Sequence, residues 1–205
     1  MNYTLRSGII ALCLSAPSNA EIPMLRSLEK IVLLSKKHFF VEARSEKLPG
    51  AHYFQDVERL DMLHDLLAAK NSPPDLILAL GVAMPNATIT TEAPAVVRVV
   101  DKELRGKNLE VFNTAVSVNG FNGHVSDLLS TLPIKNCRVF LRQVGFGGGE
   151  FKKLLKMNFE LKQFSYAGTL RGLLTKLAIQ SGPSGSYFAT FLDDSRLSVE
   201  FFSFE

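Results

Sequence analysis

The chain has 205 residues, 46% of them hydrophobic, enough to bury the core of one domain. Its 23 Lys and Arg against 20 Asp and Glu leave a formal charge of +3, spread along the chain rather than gathered into the basic stripe that nucleic acid requires. With 15 Phe, four Tyr and no Trp, the aromatic set suits core filling better than stacking on bases, and no apolar run approaches the ~20 residues of a membrane span.

In chain order, residues 8–15 read as a first core strand, followed by a turn at Ala16-Pro17-Ser18-Asn19 in which Ser18 or Asn19 caps a helix. The alternative is a signal peptide, with Arg6 as its charged end, 8–14 as its apolar run and Ser18 and Ala20 as small residues before a cut. The run is short for a signal, so the strand is preferred. A reducing compartment such as the cytoplasm is then expected, with secretion or a periplasmic location following only if 1–20 are removed. The two cysteines, Cys13 and Cys137, offer neither a disulfide framework nor a paired zinc motif.

Residues 20–34 form an amphipathic pattern interrupted early by Pro23, and 38–44 read as a second strand. After the loop at Leu48-Pro49-Gly50, Asp56 opens a helix with Val57, Leu60, Leu63, Leu66 and Leu67 on one face. Asn71-Ser72-Pro73-Pro74 ends it, and 75–82 is the strongest strand signal in the chain. Residues 85–93 read as loop and 94–104 as helix, with Gly106 as its C-terminal cap. This alternation of strand and helix predicts an α/β fold with a mostly parallel sheet. At the C-terminus, 187–192 and 197–204 flank Asp193-Asp194-Ser195-Arg196 and predict an antiparallel hairpin closing the sheet edge. The expected organisation is one α/β domain, with an N-terminal strand and helix cap over 1–55, repeat-like units over 56–180 and the hairpin over 181–205.

Within the middle segment one phrase recurs. Asn108-Leu109-Glu110-Val111-Phe112, Asn136-Cys137-Arg138-Val139-Phe140 and Glu160-Leu161-Lys162-Gln163-Phe164 each place an apolar residue three positions before a Phe, and the Phe positions lie 28 and 24 residues apart. Each runs through glycine into a Leu pair, at Leu128-Leu129, Leu154-Leu155 and Leu173-Leu174, so the predicted unit is strand, turn, helix. This pattern resembles the ribonuclease-inhibitor-like class of leucine-rich repeat over about half the chain, on Leu109, Phe112, Cys137, Phe140, Leu161 and Phe164. Thr114, Arg142 and Tyr166 stand at the family's third apolar position, and no Asn ladder follows. A Rossmann-like doubly wound sheet is the alternative architecture, since its crossover units also look alike.

The resemblance implies a protein–protein interaction or scaffold role, with partner contacts on the strand face from Glu110, Asn113, Arg138, Arg142, Lys162 and Tyr166. The alternative is a nucleotide- or S-adenosylmethionine-binding enzyme that uses the glycine loop of Gly145, Gly147, Gly148 and Gly149 as a cofactor cradle. Against it, Gln143 stands where methyltransferases carry an acidic residue, and Glu150 takes the third glycine of the dinucleotide fingerprint. A third reading likens 75–84 to the central strand of periplasmic ligand-binding domains, and needs 1–20 to be a signal.

Other candidates are weaker. Ser184 lacks the strand that feeds a nucleophile elbow. His38, His52, His64 and His124 have no metal-ligand spacing, though His52 and His124 suit acid–base work from loops. Glu58, Asp61 and Asp65 read as a solvated helix face, and Asp193-Asp194 as a turn. No cofactor, metal or catalytic residue is therefore expected, and the partner is expected to be a protein.

Overall fold

In the computed structural model, the residues described are 37–44, 87–93, 96–142, 154–156 and 158–204. The expected elements at 8–15, 20–34, 56–70 and 75–82, and the glycine loop at 145–149, lie outside them. The strands are β1 (His38–Arg44), β2 (Ala87–Ala93), β3 (Val96–Asp101), β4 (Ala115–His124), β5 (Arg138–Leu141), β6 (Leu154–Lys156), β7 (Glu160–Thr169), β8 (Ser186–Asp193) and β9 (Arg196–Phe204). Three helices stand among them: α1 (Lys107–Asn113), α2 (Val125–Thr131) and α3 (Leu170–Gln180).

Seven strands form one sheet in the order β2-β3-β1-β8-β9-β5, with β6 also on β9. Three of the five pairings along that path, β3 with β1, β1 with β8 and β9 with β5, are parallel. The other two, β2 with β3 and β8 with β9, are antiparallel. The protein is thus α/β with a mostly parallel sheet and antiparallel parts. A second, two-stranded ribbon pairs β4 with β7. Among the described residues no helix is long and apolar enough to cross a membrane.

Register sets which side chains share a face. Phe40 lies opposite Arg98 and Tyr187, and Tyr187 opposite Phe201, so these residues point to the same side. There Phe40, Tyr187 and Phe201 join Ala189, Phe191, Leu197 and Val199 in one hydrophobic cluster with Leu170, Leu173, Leu174 and Leu177 of α3. The opposite face, with Phe39, Val41, Val97, Val99, Phe188 and Phe202, is buried as well. Val116, Leu161 and Phe164 bring the inner face of the ribbon into the α3 cluster.

Strand 38–44, the helical Leu pairs at 128–129 and 173–174, and the C-terminal hairpin form as expected. Several expectations need correction. Within the loop expected over 85–93, Ala87–Ala93 is β2, and within the helix expected over 94–104, Val96–Asp101 is β3. Thr88-Ile89-Thr90-Thr91 and Val96-Val97-Arg98-Val99-Val100 are β-branched runs, whose stiff side chains suit a pleated sheet and outweigh the helix-start signal of Pro94.

Gly106 begins α1 with φ +53° rather than closing a helix, and the first copy of the repeated phrase, 108–112, is that helix. Asn108, Val111 and Phe112 are its buried positions, at helical spacing. Leu154 and Leu155 lie in β6, not in a helix. The remaining copies do not stack on each other, because β5 pairs with β9 and β7 with β4. Finally, the hairpin does not close an edge: β8 is flanked by β1 and β9, and β9 by β8 and β5. The near-continuous burial of Tyr187-Phe188-Ala189 and Phe201-Phe202 is that of strands covered on both faces.

Candidate functional site

A single charged residue in a buried strand must find partners, because an isolated charge out of water is too costly to keep. Glu42 in β1 and Arg98 in β3 are two such residues, with side chains 0% and 7% exposed. Arg98 Nη1 donates to Glu42 Oε1 at 2.8 Å and to the Tyr187 phenol oxygen at 2.7 Å, and that phenol donates to Glu42 Oε1 at 3.0 Å. From the first turn of α3, Arg171 grips the same carboxylate through Nε at 2.8 and 3.1 Å and through Nη2 at 2.6 Å. One buried carboxylate therefore holds two guanidiniums and a phenol.

The outer side of Arg98 is closed by Glu92 of β2. Pairing steps from Thr91 to Ala93 while β3 moves only from Val97 to Val96, so Glu92 is the extra residue of a β-bulge. A bulge bends its strand and re-aims its side chain. Arg98 Nε and Nη2 engage both Glu92 oxygens, the latter at 2.9 Å, and Nη2 also donates to Thr175 Oγ1 at 3.2 Å. Thr175 lies one turn after Arg171, so both reach the cluster from one side of α3. Phe40 lies under Arg98, with the guanidinium 5.2 Å from its ring centre, and Phe112 under Arg171 at 5.4 Å.

These contacts set the charge states. Burial alone drives the Arg98 guanidinium towards neutrality, but its hydrogen bond to Glu92 and the neighbouring Tyr187 and Glu42 hold it charged, above its ordinary value. The hydrogen bond from Arg98 pulls the Glu92 carboxyl below its ordinary value. Burial, reinforced by the Glu42 charge, pushes the Tyr187 phenol well above its ordinary value, so it stays a neutral donor.

The residues expected to meet a partner lie on three elements. Glu110 and Asn113 are exposed on α1, Arg138 on β5 with Arg142 just past its end, and exposed Lys162 and half-buried Tyr166 on β7. Asn113 Oδ1 receives a long 3.5 Å contact from Arg171 Nη1, and Arg142 lies 3.8 Å from Glu200. The candidate cofactor glycines Gly145, Gly147, Gly148 and Gly149 fall outside the described residues, as do His52, His64 and Cys13. Cys137 is buried, and burial raises its thiol pKa. Asp193 accepts from the Ser195 amide and hydroxyl and from Arg196, which pull its carboxyl down to about 2 and tie the β8–β9 turn.

Neither Glu42, Arg98, Arg171, Tyr187 nor Glu92 was singled out by motif or spacing. The available signal was compositional: one acid inside Phe39-Phe40-Val41-Glu42-Ala43 and one base inside Val96-Val97-Arg98-Val99-Val100. Compared with known proteins, the chain matches no family model, no curated protein and no solved structure.

Proposed function

We propose that this protein is a non-enzymatic protein-interaction module that meets its partner on the solvent face of the β4–β7 ribbon. The observation that carries this reading is a long exposed surface nearly without charge. β4 has no Asp, Glu, Lys or Arg over its ten residues, and β7 has only Glu160 and Lys162, which lie 3.8 Å apart at one end. Ala115, Ser117, Asn119, Asn122, Gln163, Ser165, Ala167 and Thr169 are exposed. The centres of protein interfaces are depleted in charge, whereas ordinary solvent-facing strands carry it to stay soluble. Lys162 and Tyr166 belong to this ribbon, and Asn113 lies just before its first strand.

Ser117 and Ala167 face each other across the ribbon, and both are exposed. The double variant S117K/A167K therefore sets two cations at the centre of the proposed interface without touching the core. A partner cross-linked to the wild-type ribbon in cells is expected to be lost from the variant while its thermal midpoint is retained. Equal cross-linking of both proteins, at sites away from β4 and β7, overturns the reading. Sedimentation velocity on the purified chain shows whether the partner is a second copy.

A further inference from the structure

The charge balance of the buried cluster points to a second binding site, independent of the ribbon. Glu42 supplies one negative charge to two guanidiniums, so among the described residues the buried part of the cluster is left with one positive charge uncompensated. The balancing charge comes from Glu92, whose side chain is 45% exposed and whose place on β2, the outermost of the described strands, depends on a bulge. It engages the outward fork of Arg98 with both oxygens, the arrangement in which a guanidinium best recognises a carboxylate. Beside it, the Arg171 side chain is 27% exposed, and among the described residues its Nη1 makes only the long contact to Asn113. Arg171 lies near enough to help lower the Glu92 pKa.

We propose that Arg98 and Arg171 form an anion site which Glu92 plugs from within, and that the side-chain carboxylate of an acidic peptide displaces it. A carboxylate fits better than a phosphate because the site lacks one charge, and a phosphate carrying about −1.5 to −2 would leave it over-neutralised. Glu42 and Tyr187 hold Arg98 from below, so the fork stays oriented when Glu92 leaves, and the incoming group meets a preorganised donor pair.

The test uses the full chain and a fluorescent, end-capped peptide, Thr-Glu-Thr-Glu-Thr, beside its Gln counterpart. E92Q removes the plug's charge at an exposed position and is expected to bind the Glu peptide roughly tenfold or more tighter than wild type does. The Gln peptide is expected not to bind, and R98K in the E92Q background is expected to lose the gain, since Lys has no fork. E92D, which keeps the charge but shortens the reach, is expected to fall between wild type and E92Q, and it serves if E92Q unfolds. Equal affinity of wild type, E92D and E92Q, or equal binding of the Gln peptide, overturns the proposal. Binding of inorganic phosphate in place of the Glu peptide overturns its carboxylate assignment.

Discussion

Tyr187 has its ring stacked on Phe40, with centres 5.0 Å apart, and its hydroxyl wedged between Glu42 and Arg98. In the unfolded chain this phenol ionises near pH 10. In the folded protein, burial and the Glu42 carboxylate raise its pKa, so the native state keeps the proton that the unfolded state releases. The contribution is fully present below about pH 10 and is lost as pH rises beyond it, by up to ~1.4 kcal/mol per pH unit. Urea unfolding between pH 9 and 11.5 is expected to show this slope in wild type and a shallower one in Y187F; identical slopes would mean that the phenol is not buried. The same residue makes Glu42 sustainable in the core, because a buried carboxylate is tolerated only when its remaining lone pairs are also satisfied.

At the scale of elements, α3 couples the two sheets. It begins where β7 ends, with Thr169 Oγ1 capping the Gly172 amide at 3.2 Å, and Leu170 N donates to Thr114 O at 2.9 Å across the base of the ribbon. At its other end the chain turns at once into β8, so closely that a Cβ on Gly185 would lie 1.9 Å from the Ala178 carbonyl oxygen. That oxygen belongs to the backbone at the end of α3 and cannot swing aside. G185A is therefore expected to cost at least ~1–3 kcal/mol, the usual range for overpacking, as a lowered denaturation midpoint. Between residues 87 and 106 local and tertiary preferences oppose each other. Pro94 and Gly106 are strong local signals for helix start and stop, whereas β2 and β3 are decided by β-branched residues that need a neighbouring strand before their preference counts.

Across the molecule, one hydrophobic cluster runs from the ribbon through α3 to the central strands, so the parts are expected to unfold together. Leu177 is fully buried in that cluster, while Ile179, two residues on, is 48% exposed. L177A is expected to cost ~2–5 kcal/mol, shifting ribbon and sheet amides together in hydrogen exchange, and I179A to stay within ~0.5 kcal/mol of wild type. Loss of protection in the ribbon alone would show that it is held separately.

Much was decided by the chain's own pattern. The α/β class, strand 38–44, the helices carrying Leu128-Leu129 and Leu173-Leu174 and the final hairpin follow from local periodicity, turn residues and β-propensity, which act over a few neighbouring residues. Tertiary structure alone decided that the hairpin lies inside the sheet, that 108–112 coils into a helix, and that residues 42, 92, 98, 171 and 187 meet at one place. Sequence separations of up to 145 residues join that cluster, and no local preference encodes such a distance. Glu42 and Arg98 meet because β1 and β3 pair in parallel, and the need to neutralise charge in a dry interior then determines their contacts.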